Sequence, residues 1–176
     1  MRITVSQIRD ELADREAIKD CMYRYSRGAD RCDEEMIRSA YWPDAFDDHL
    51  AFQGDPEGFI AWSMPIMRAM DQTQHMMGNI LIRLRGDQAD VETYFFGFHR
   101  VPGENGWQDI IAGGRYCDVF EKRDDEWRCL KRLVITDWFR NFPDSGDWTI
   151  GPFGMKVDPG GRYPDDATYA LEGFKD

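Results

Sequence analysis

The stretch that decides the fold runs over residues 80–101 and reads ILIRLRGDQADVETYFFGFHRV. Its opening alternates branched apolar side chains with side chains that are mostly charged, a period of two that is typical of a β-strand with one buried face. Gly86 and Asp87 form a turn signal, after which residues 88–101 continue as a second strand. The stretch therefore predicts an antiparallel hairpin.

Two further strands are expected after this hairpin. A loop at residues 102–106 leads into a long strand over residues 107–123, and a turn of two aspartates leads into another over residues 126–140. The pair Gly113–Gly114 interrupts the longer strand, where a bulge or sharp bend is expected.

Before about residue 72 the apolar period is that of helices. One apolar face predicts a first helix that begins near Asp14 and ends near Gly28. The residues of this face are Ile18, Cys21, Met22 and Tyr25.

Two shorter helices are expected to follow the first. Asp33 is the predicted cap of the second, which ends before Trp42-Pro43-Asp44. Asp55-Pro56 predicts the start of the third, with a distortion at Pro65. The apolar residues assigned to the second helix are Met36, Ile37, Ala40 and Tyr41.

Three helices followed by a strongly curved antiparallel sheet predict an α+β fold, a cone-shaped α+β barrel with an open mouth. Such a cone offers a natural small-molecule pocket. Residues 1–141 are expected to form this single domain. Residues 142–176 are rich in Gly, Pro and Asp, and they are expected to form an irregular tail that covers the cavity or contacts another subunit.

The composition excludes several classes of partner. The chain has 22 basic and 33 acidic residues, a net charge of −11, which argues against nucleic acid or an anionic membrane surface because both need positive patches. No apolar run approaches the roughly 20 residues that cross a bilayer. The four cysteines show no C-x-x-C spacing and the amino terminus is too charged for a signal peptide, so a cytoplasmic location is expected.

Two polar residues are the main candidates for chemistry: Asp30 near the end of the first helix and His75 at the start of the predicted sheet. A carboxylate that orients an imidazole makes the ring a better base near neutral pH. The alternative is that Asp30 begins a turn and His75 is satisfied at a strand start. Asp33 is the better cap for the second helix, which leaves Asp30 free to point inward.

The same residues carry a resemblance to a known family. Over roughly residues 10–140 the chain resembles the SnoaL-like branch of the nuclear transport factor 2-like superfamily. Within it the chain is most similar to cofactor-free lyases, namely scytalone dehydratase, hexachlorocyclohexane dehydrochlorinase and bile acid 7α-dehydratase. The resemblance rests on the order of these segments: Ala17-Ile18, Arg24-Tyr25, Asp30, Asp33, Pro43-Asp44-Ala45, His75, Gly78-Asn79, Gly113-Gly114-Arg115-Tyr116, Asp118, Trp127, Lys131-Arg132 and Asp137-Trp138.

The resemblance implies roles for particular residues. It implies that His75 is a base held by Asp30, that Tyr25 matches a tyrosine of the bile acid enzyme, and that Arg132 matches a late-strand arginine of the dehydrochlorinase. His99 lies near the second catalytic histidine of scytalone dehydratase but out of register with it. The resemblance also implies a hydrophobic small-molecule substrate, no cofactor, and assembly into dimers or trimers.

Tyr25 and Arg132 each have two interpretations that the sequence leaves open. Tyr25 lies on the apolar face of the first helix, so it is either a core residue or a phenol that donates to a substrate oxygen. Arg132 shares its strand parity with the apolar series Leu130, Val134 and Trp138. Its guanidinium must therefore find a carboxylate or serve an anionic substrate or leaving group.

The remaining candidates are weaker. His99 ends a strand and is expected at the pocket rim, whereas His49 follows two aspartates and is expected at the surface. No H-x-x-x-H or C-x-x-C spacing, phosphate loop or dinucleotide fingerprint occurs in the sequence, so neither a metal nor a cofactor is expected. Four aromatic residues are candidates for the cavity lining or the core: Tyr41, Trp42, Tyr94 and Tyr116.

The sequence thus predicts a cofactor-independent lyase of the dehydratase type. His75 removes a proton, Asp30 orients the ring, and Tyr25 or Arg132 assists departure of a hydroxyl from a bulky hydrophobic molecule, aromatic or steroid-like. A retro-aldol cleavage that releases formaldehyde from an aromatic alcohol needs the same proton relay and stays open. Double-bond isomerisation of the ketosteroid isomerase kind and a non-catalytic binding or structural subunit also stay open.

Overall fold

The computed structural model describes residues 4–104, 106–144, 151, 154–155 and 160–174. Within these ranges, three α-helices pack on a curved six-stranded sheet, which confirms the predicted α+β class. The helices and strands in chain order are α1 (Val5–Arg31), α2 (Glu34–Arg38), β1 (Tyr41–Asp48), β2 (Gln53–Gly54), α3 (Pro56–Ala69), β3 (Gln72–Arg85), β4 (Gln88–Gly103), β5 (Gly106–Arg123) and β6 (Glu126–Pro143).

The sheet has the strand order β2-β1-β6-β5-β4-β3, and every neighbouring pair is antiparallel except β1 with β6. The predicted hairpin is the β3–β4 pair, in which Leu84 lies opposite Ala89 and His75 lies opposite Gly97. Strands β4, β5 and β6 pair along nearly their whole lengths and form the curved wall of the molecule. No helix in the described ranges combines the length and the apolar character that a membrane crossing requires.

The first helix is longer than predicted. It begins after Thr4, whose side chain accepts a hydrogen bond from the backbone N–H of Gln7 while the Gln7 side chain accepts one from the Thr4 N–H. The prediction that Asp14 starts the helix is wrong: Asp14 lies inside it and accepts hydrogen bonds from Trp127 Nε1 and Lys122 Nζ at 2.8 and 3.1 Å. The first turns carry Val5, Ile8 and Leu12 at helical spacing, but all three side chains are exposed, so they lie outside the buried face on which the prediction was based.

The second helix is shorter than predicted. Asp33 caps it as expected, but the assignment of Ala40 and Tyr41 to this helix is wrong because Tyr41 already begins β1. The sequence did not predict this strand because it contains Pro43. Strand β1 pairs with β6 at Tyr41 and again from Phe46, and the proline lies in the irregular part between them, where no ladder hydrogen bond is needed.

The predicted irregularity at Gly113–Gly114 is confirmed by a register shift at this point of the β5–β6 pair. A Cβ on Gly114 would lie 2.1 Å from the backbone oxygen of Ile135, and one on Gly113 would lie 2.4 Å from the Trp138 ring. Glycine therefore allows β6 to approach β5 this closely. A bulge of this kind bends the strands and increases the local twist of the sheet.

The third helix begins at Asp55 as predicted, where the carboxylate accepts the backbone N–H of Gly58 at 2.7 Å, and Pro65 lies inside it. Buried apolar side chains of the helices meet those of the sheet in one core. Its large members include Ile18, Met22, Ile37, Phe59, Met64 and Phe120.

Part of the C-terminal tail packs against the end of α1. In this segment, residues 160–174, Arg162 donates hydrogen bonds to the backbone oxygen of Asp30 and to Thr73 Oγ1. The rest of the predicted tail between residues 145 and 159 lies outside the described residues except at positions 151, 154 and 155. Its role as a lid or subunit contact stays a prediction.

Candidate active site

The end of α1 and the start of β3 bring Asp30 and His75 together. Asp30 Oδ1 lies 2.7 Å from His75 Nδ1, and Asp30 Oδ2 accepts the backbone N–H of His75 at 2.8 Å. Because both carboxylate oxygens bind the same residue, the orientation of the ring is fixed. Nε2 is then the ring nitrogen that remains for a substrate.

The charge state of Asp30 suits this arrangement. Burial raises the pKa of its carboxyl, but the hydrogen bonds from the ring and the backbone of His75 outweigh burial and hold the pKa below its ordinary value. Arg31 acts in the same direction. An ionised Asp30 accepts from Nδ1–H and stabilises positive charge on the His75 ring.

His75 faces a cavity of about 170 Å³ enclosed by α1, α3 and the sheet. Most of its lining is apolar or aromatic, and three of the lining residues are histidines. The lining residues are Tyr25, Ala29, His49, Phe59, Trp62, Ser63, Ile66, Met67, Met70, His75, His99 and Tyr116.

His99 lines the cavity beside the candidate base. Its ring lies edge to face with the His75 ring, with centroids 4.9 Å apart. Burial, with a smaller contribution from His75, lowers the pKa of His99 to about 4, so this ring is neutral near pH 7. Gly97 makes room for the pair, because a Cβ there would lie 3.0 Å from His99 Cε1.

Tyr25 and Tyr116 also line the cavity, with ring centroids 5.6 Å apart. Both phenols are buried, and burial raises the pKa of each above its ordinary value. Both hydroxyls therefore keep their protons near neutral pH and can donate hydrogen bonds. Tyr25 belongs to the core and to the cavity wall at once, so its two interpretations are not exclusive.

Arg132 does not line the cavity. Its buried guanidinium donates to both carboxylate oxygens of Asp118 at 2.9 and 2.7 Å and to the Tyr41 hydroxyl at 2.9 Å. The expectation that it meets a substrate or leaving group therefore does not fit its contacts, and the ion-pair alternative does. The prediction that Arg132 and Leu130 point to the same face of the strand is also wrong. The register of β6 against β5 shifts between Cys129 and Lys131, so the alternation of faces changes at this point.

Three of the expected lining residues lie elsewhere. Tyr41 is buried behind the cavity, where its hydroxyl donates to Asp47. Trp42 donates its Nε1–H to the backbone oxygen of Glu121 at 2.9 Å. Tyr94 is 47% exposed, because the period of two along β4 places it on the opposite face from His99.

The prediction that His49 lies at the surface is wrong. His49 lines the cavity instead, and its ring stacks on Phe59 with centroids 4.5 Å apart. Its Nδ1 contacts Asp47 Oδ1, and its Nε2 lies 3.2 Å from the Tyr25 hydroxyl. The only signal in the sequence is the spacing Asp47-x-His49, which is also common in surface loops.

The described part of the chain contains no group of three or more His, Cys, Asp or Glu side chains placed to hold a metal ion. The polar side chains that line the cavity are three imidazoles, two phenols and the Ser63 hydroxyl. Such groups transfer protons and donate hydrogen bonds.

Helices packed on a curved sheet with a cavity between them are the architecture that the resemblance to SnoaL-like proteins implies. A family model described as SnoaL-like domain matches residues 10–132, so the chain belongs to the SnoaL-like domain family. The resemblance drawn from the sequence is thereby confirmed.

Relatives and solved structures agree with this assignment. An uncharacterized protein of Mycobacterium bovis is 26% identical over 126 residues, which cover 70% of this chain and 85% of the relative. A scytalone dehydratase-like protein of Novosphingobium aromaticivorans is 22% identical with a TM-score of 0.68, covering 84% of this chain and 97% of that one. The hexachlorocyclohexane dehydrochlorinase LinA-type3 of Novosphingobium barchaimii is 21% identical with a TM-score of 0.68, covering 85% and 97%. At these identities the two solved structures establish similarity of fold.

Proposed function

We propose that this protein is a cofactor-independent lyase that eliminates water from a hydrophobic β-hydroxy carbonyl compound. The observation that carries the proposal is the His75 ring, which both oxygens of Asp30 orient and which faces a largely apolar cavity. The dehydratase and dehydrochlorinase names of the structural neighbours agree with it.

In the proposed reaction, His75 Nε2 removes the proton from the carbon beside the carbonyl. The electron pair of the C–H bond forms the new double bond, and the hydroxyl leaves from the next carbon. Asp30 stabilises the resulting imidazolium. His99 adds no like charge beside this ring, since burial lowers its pKa to about 4.

Tyr25 is the proposed donor to the departing oxygen. Burial raises the pKa of its hydroxyl, so the group is protonated when the leaving oxygen needs a hydrogen bond. Arg132 makes a cation–π contact with Tyr25, with its guanidinium carbon 4.1 Å from the centre of the phenol ring. In this proposal Arg132 positions Tyr25 and does not touch the substrate.

The cavity favours a compact aromatic substrate over a steroid. Its volume of about 170 Å³ lies below the roughly 300–1,000 Å³ typical of pockets for drug-sized ligands. Phe59 and Trp62 offer aromatic surface to such a ring. Isomerisation with a carboxylate base has less support, because both oxygens of Asp30 already accept hydrogen bonds from His75.

The test uses the β-hydroxy ketone 4-hydroxy-4-phenylbutan-2-one, whose dehydration gives the strongly absorbing enone benzylideneacetone. We expect wild-type protein to form the enone and His75→Ala to lower kcat/KM by about 10²–10⁴-fold, the usual contribution of a general base. Tyr23→Phe, an exposed change on the same helix as Tyr25, is the control expected to match the wild type.

Two results would contradict the proposal: an inactive wild-type protein, or a His75→Ala variant that dehydrates the ketone at the wild-type rate. The same probe separates the runner-up reaction, because retro-aldol cleavage would yield benzaldehyde and acetone in place of the enone. Product analysis by chromatography distinguishes the two outcomes.

A further inference from the structure

A second carboxylate–imidazole pair lies on the same cavity as Asp30 and His75. Asp47, at 0% exposure, contacts His49 Nδ1, and His49 Nε2 lies 3.2 Å from the Tyr25 hydroxyl. The sequence brings the pair together because β1 ends at Asp48 and His49 follows it directly. The proposed elimination so far uses neither Asp47 nor His49.

Arg132 determines which groups donate and which accept in the hydrogen-bond network that continues through Tyr41, Asp47 and His49 to Tyr25. Arg132 can only donate, so the Tyr41 oxygen accepts from it and the Tyr41 hydroxyl proton goes to Asp47 Oδ2. Asp47 Oδ1 then accepts from His49 Nδ1–H. Within the described residues, the hydrogen-bond partner of His49 Nε2 is the Tyr25 hydroxyl.

We propose that His49, oriented by Asp47, is the proton source that supplies the leaving group through Tyr25. This inference rests on the proposed elimination and assigns the acid that complements the base His75. It gives the cavity two separate proton-transfer groups, one for the carbon and one for the oxygen.

Protons are transferred at two places in the proposed elimination. His75 Nε2 takes the proton from carbon, the C–H pair becomes the π bond, and the C–O bond breaks. The departing oxygen takes the Tyr25 hydroxyl proton and leaves as water, while the Tyr25 oxygen takes the proton from His49 Nε2. The products are the enone, water, a protonated His75 and a neutral His49, and solvent exchanges one proton at each ring to restore the start.

Charged and aromatic groups surround the His49 network. The carboxylate of Asp47 contacts the His49 ring, Asp118 forms an ion pair with Arg132, and Phe59 from α3 stacks on the His49 ring. The titratable or charged groups near His49 are Asp47 on β1, Tyr25 on α1, and Tyr116 and Asp118 on β5. Arg132 on β6 binds Asp118.

The experiment compares two reactions that need different groups. Dehydration of 4-hydroxy-4-phenylbutan-2-one needs the base and the acid. Exchange of the methylene hydrogens beside the carbonyl of benzylacetone in D₂O, followed by ¹H NMR, needs the base alone because no group leaves. The variants are His49→Gln, Tyr25→Phe, the double variant of both, and His75→Ala, with Tyr23→Phe as the matched control for the phenol.

We expect His49→Gln to lower dehydration by about 10²-fold while exchange stays within about threefold of wild type. The double variant should be no slower than the slower single variant, because the two residues act in series. His75→Ala should lose both reactions.

The possible failures are distinguishable. A His49→Gln variant that dehydrates as fast as wild type, or one that loses exchange and dehydration equally, overturns the inference while the proposed elimination stands. A wild-type protein that performs neither reaction overturns the proposed function and the inference with it. Thermal melting of each variant shows whether a lost activity reflects a lost fold.

Discussion

Ser63 is a buried hydroxyl that is not satisfied within the protein. It lies on α3, is 4% exposed and lines the cavity, and its Oγ has no hydrogen-bond partner among the described residues. Leaving such a group unpaired costs about 1–3 kcal/mol, so a polar group of the substrate is its natural partner. We therefore expect the substrate to carry a polar group within hydrogen-bond reach of Ser63 Oγ.

We expect Ser63→Ala to raise KM for the true substrate by about 3- to 10-fold, the value of one hydrogen bond, with little change in kcat. Its melting temperature should stay equal or rise, because an unpaired hydroxyl is removed. Ser26→Ala is the control: Ser26 Oγ donates to the backbone oxygen of Tyr23 at 3.1 Å, so that variant should lose stability and keep KM. An unchanged KM for Ser63→Ala, measured by initial rates, would remove the assignment.

Single residues also show where sequence reasoning stops. Asp30 and His75 could be singled out because residue type and family position agree. His49 could not, because its place on the cavity depends on Phe59 of α3 and Tyr25 of α1, which reach it only once the helices have packed. Arg132 kept two interpretations for the same reason: whether a buried guanidinium meets a protein carboxylate or a ligand depends on Asp118 across the sheet.

The strands β5 and β6 owe their close approach to two adjacent glycines. The alternating pattern of residues 80–101 and the glycine pair were enough to predict the long strands and the bulge. Strand β1 escaped prediction because it runs parallel to β6, far away in sequence, and pairs irregularly around Pro43. The period of apolar residues in a sequence indicates which side chains are buried within one segment. Whether a short segment that contains proline forms a strand depends instead on the distant strand with which it pairs.

We expect Gly114→Ala to destabilise the protein by about 3 kcal/mol, at the upper end for overpacking. The new methyl group would lie 2.1 Å from the backbone oxygen of Ile135, which cannot move without breaking the β5–β6 pairing. Gly78→Ala is the matched control in a strand, since its Cβ would meet Tyr94 backbone at 3.4 Å, an ordinary contact. Urea unfolding of both variants measures the difference, and equal midpoints would show that the bulge tolerates a side chain.

At the scale of the whole fold, elements that are distant in sequence meet at the cavity. Helix α1 supplies Asp30 and Tyr25, the start of β3 supplies His75, and β4 supplies His99. The family match covers residues 10–132, yet Arg162 from the tail binds the same end of α1 that carries Asp30. Residues 160–174 of the tail therefore contact the element that carries Asp30, a contact that no pattern in their sequence predicts.

Arg162 connects the two elements that carry the dyad, because it donates to the backbone oxygen of Asp30 on α1 and to Thr73 Oγ1 on β3. We expect Arg162→Ala to lower kcat for dehydration by about 10-fold with KM nearly unchanged, since misplacing a base by a fraction of an ångström weakens catalysis more than binding. The downfield ¹H resonance of the proton between His75 Nδ1 and Asp30 should shift or broaden. Arg85→Ala, which removes exposed contacts with Asp90 and Gln88, should change neither. If Arg162→Ala lowers the melting temperature but leaves kcat and this resonance intact, the tail stabilises the fold without positioning the base.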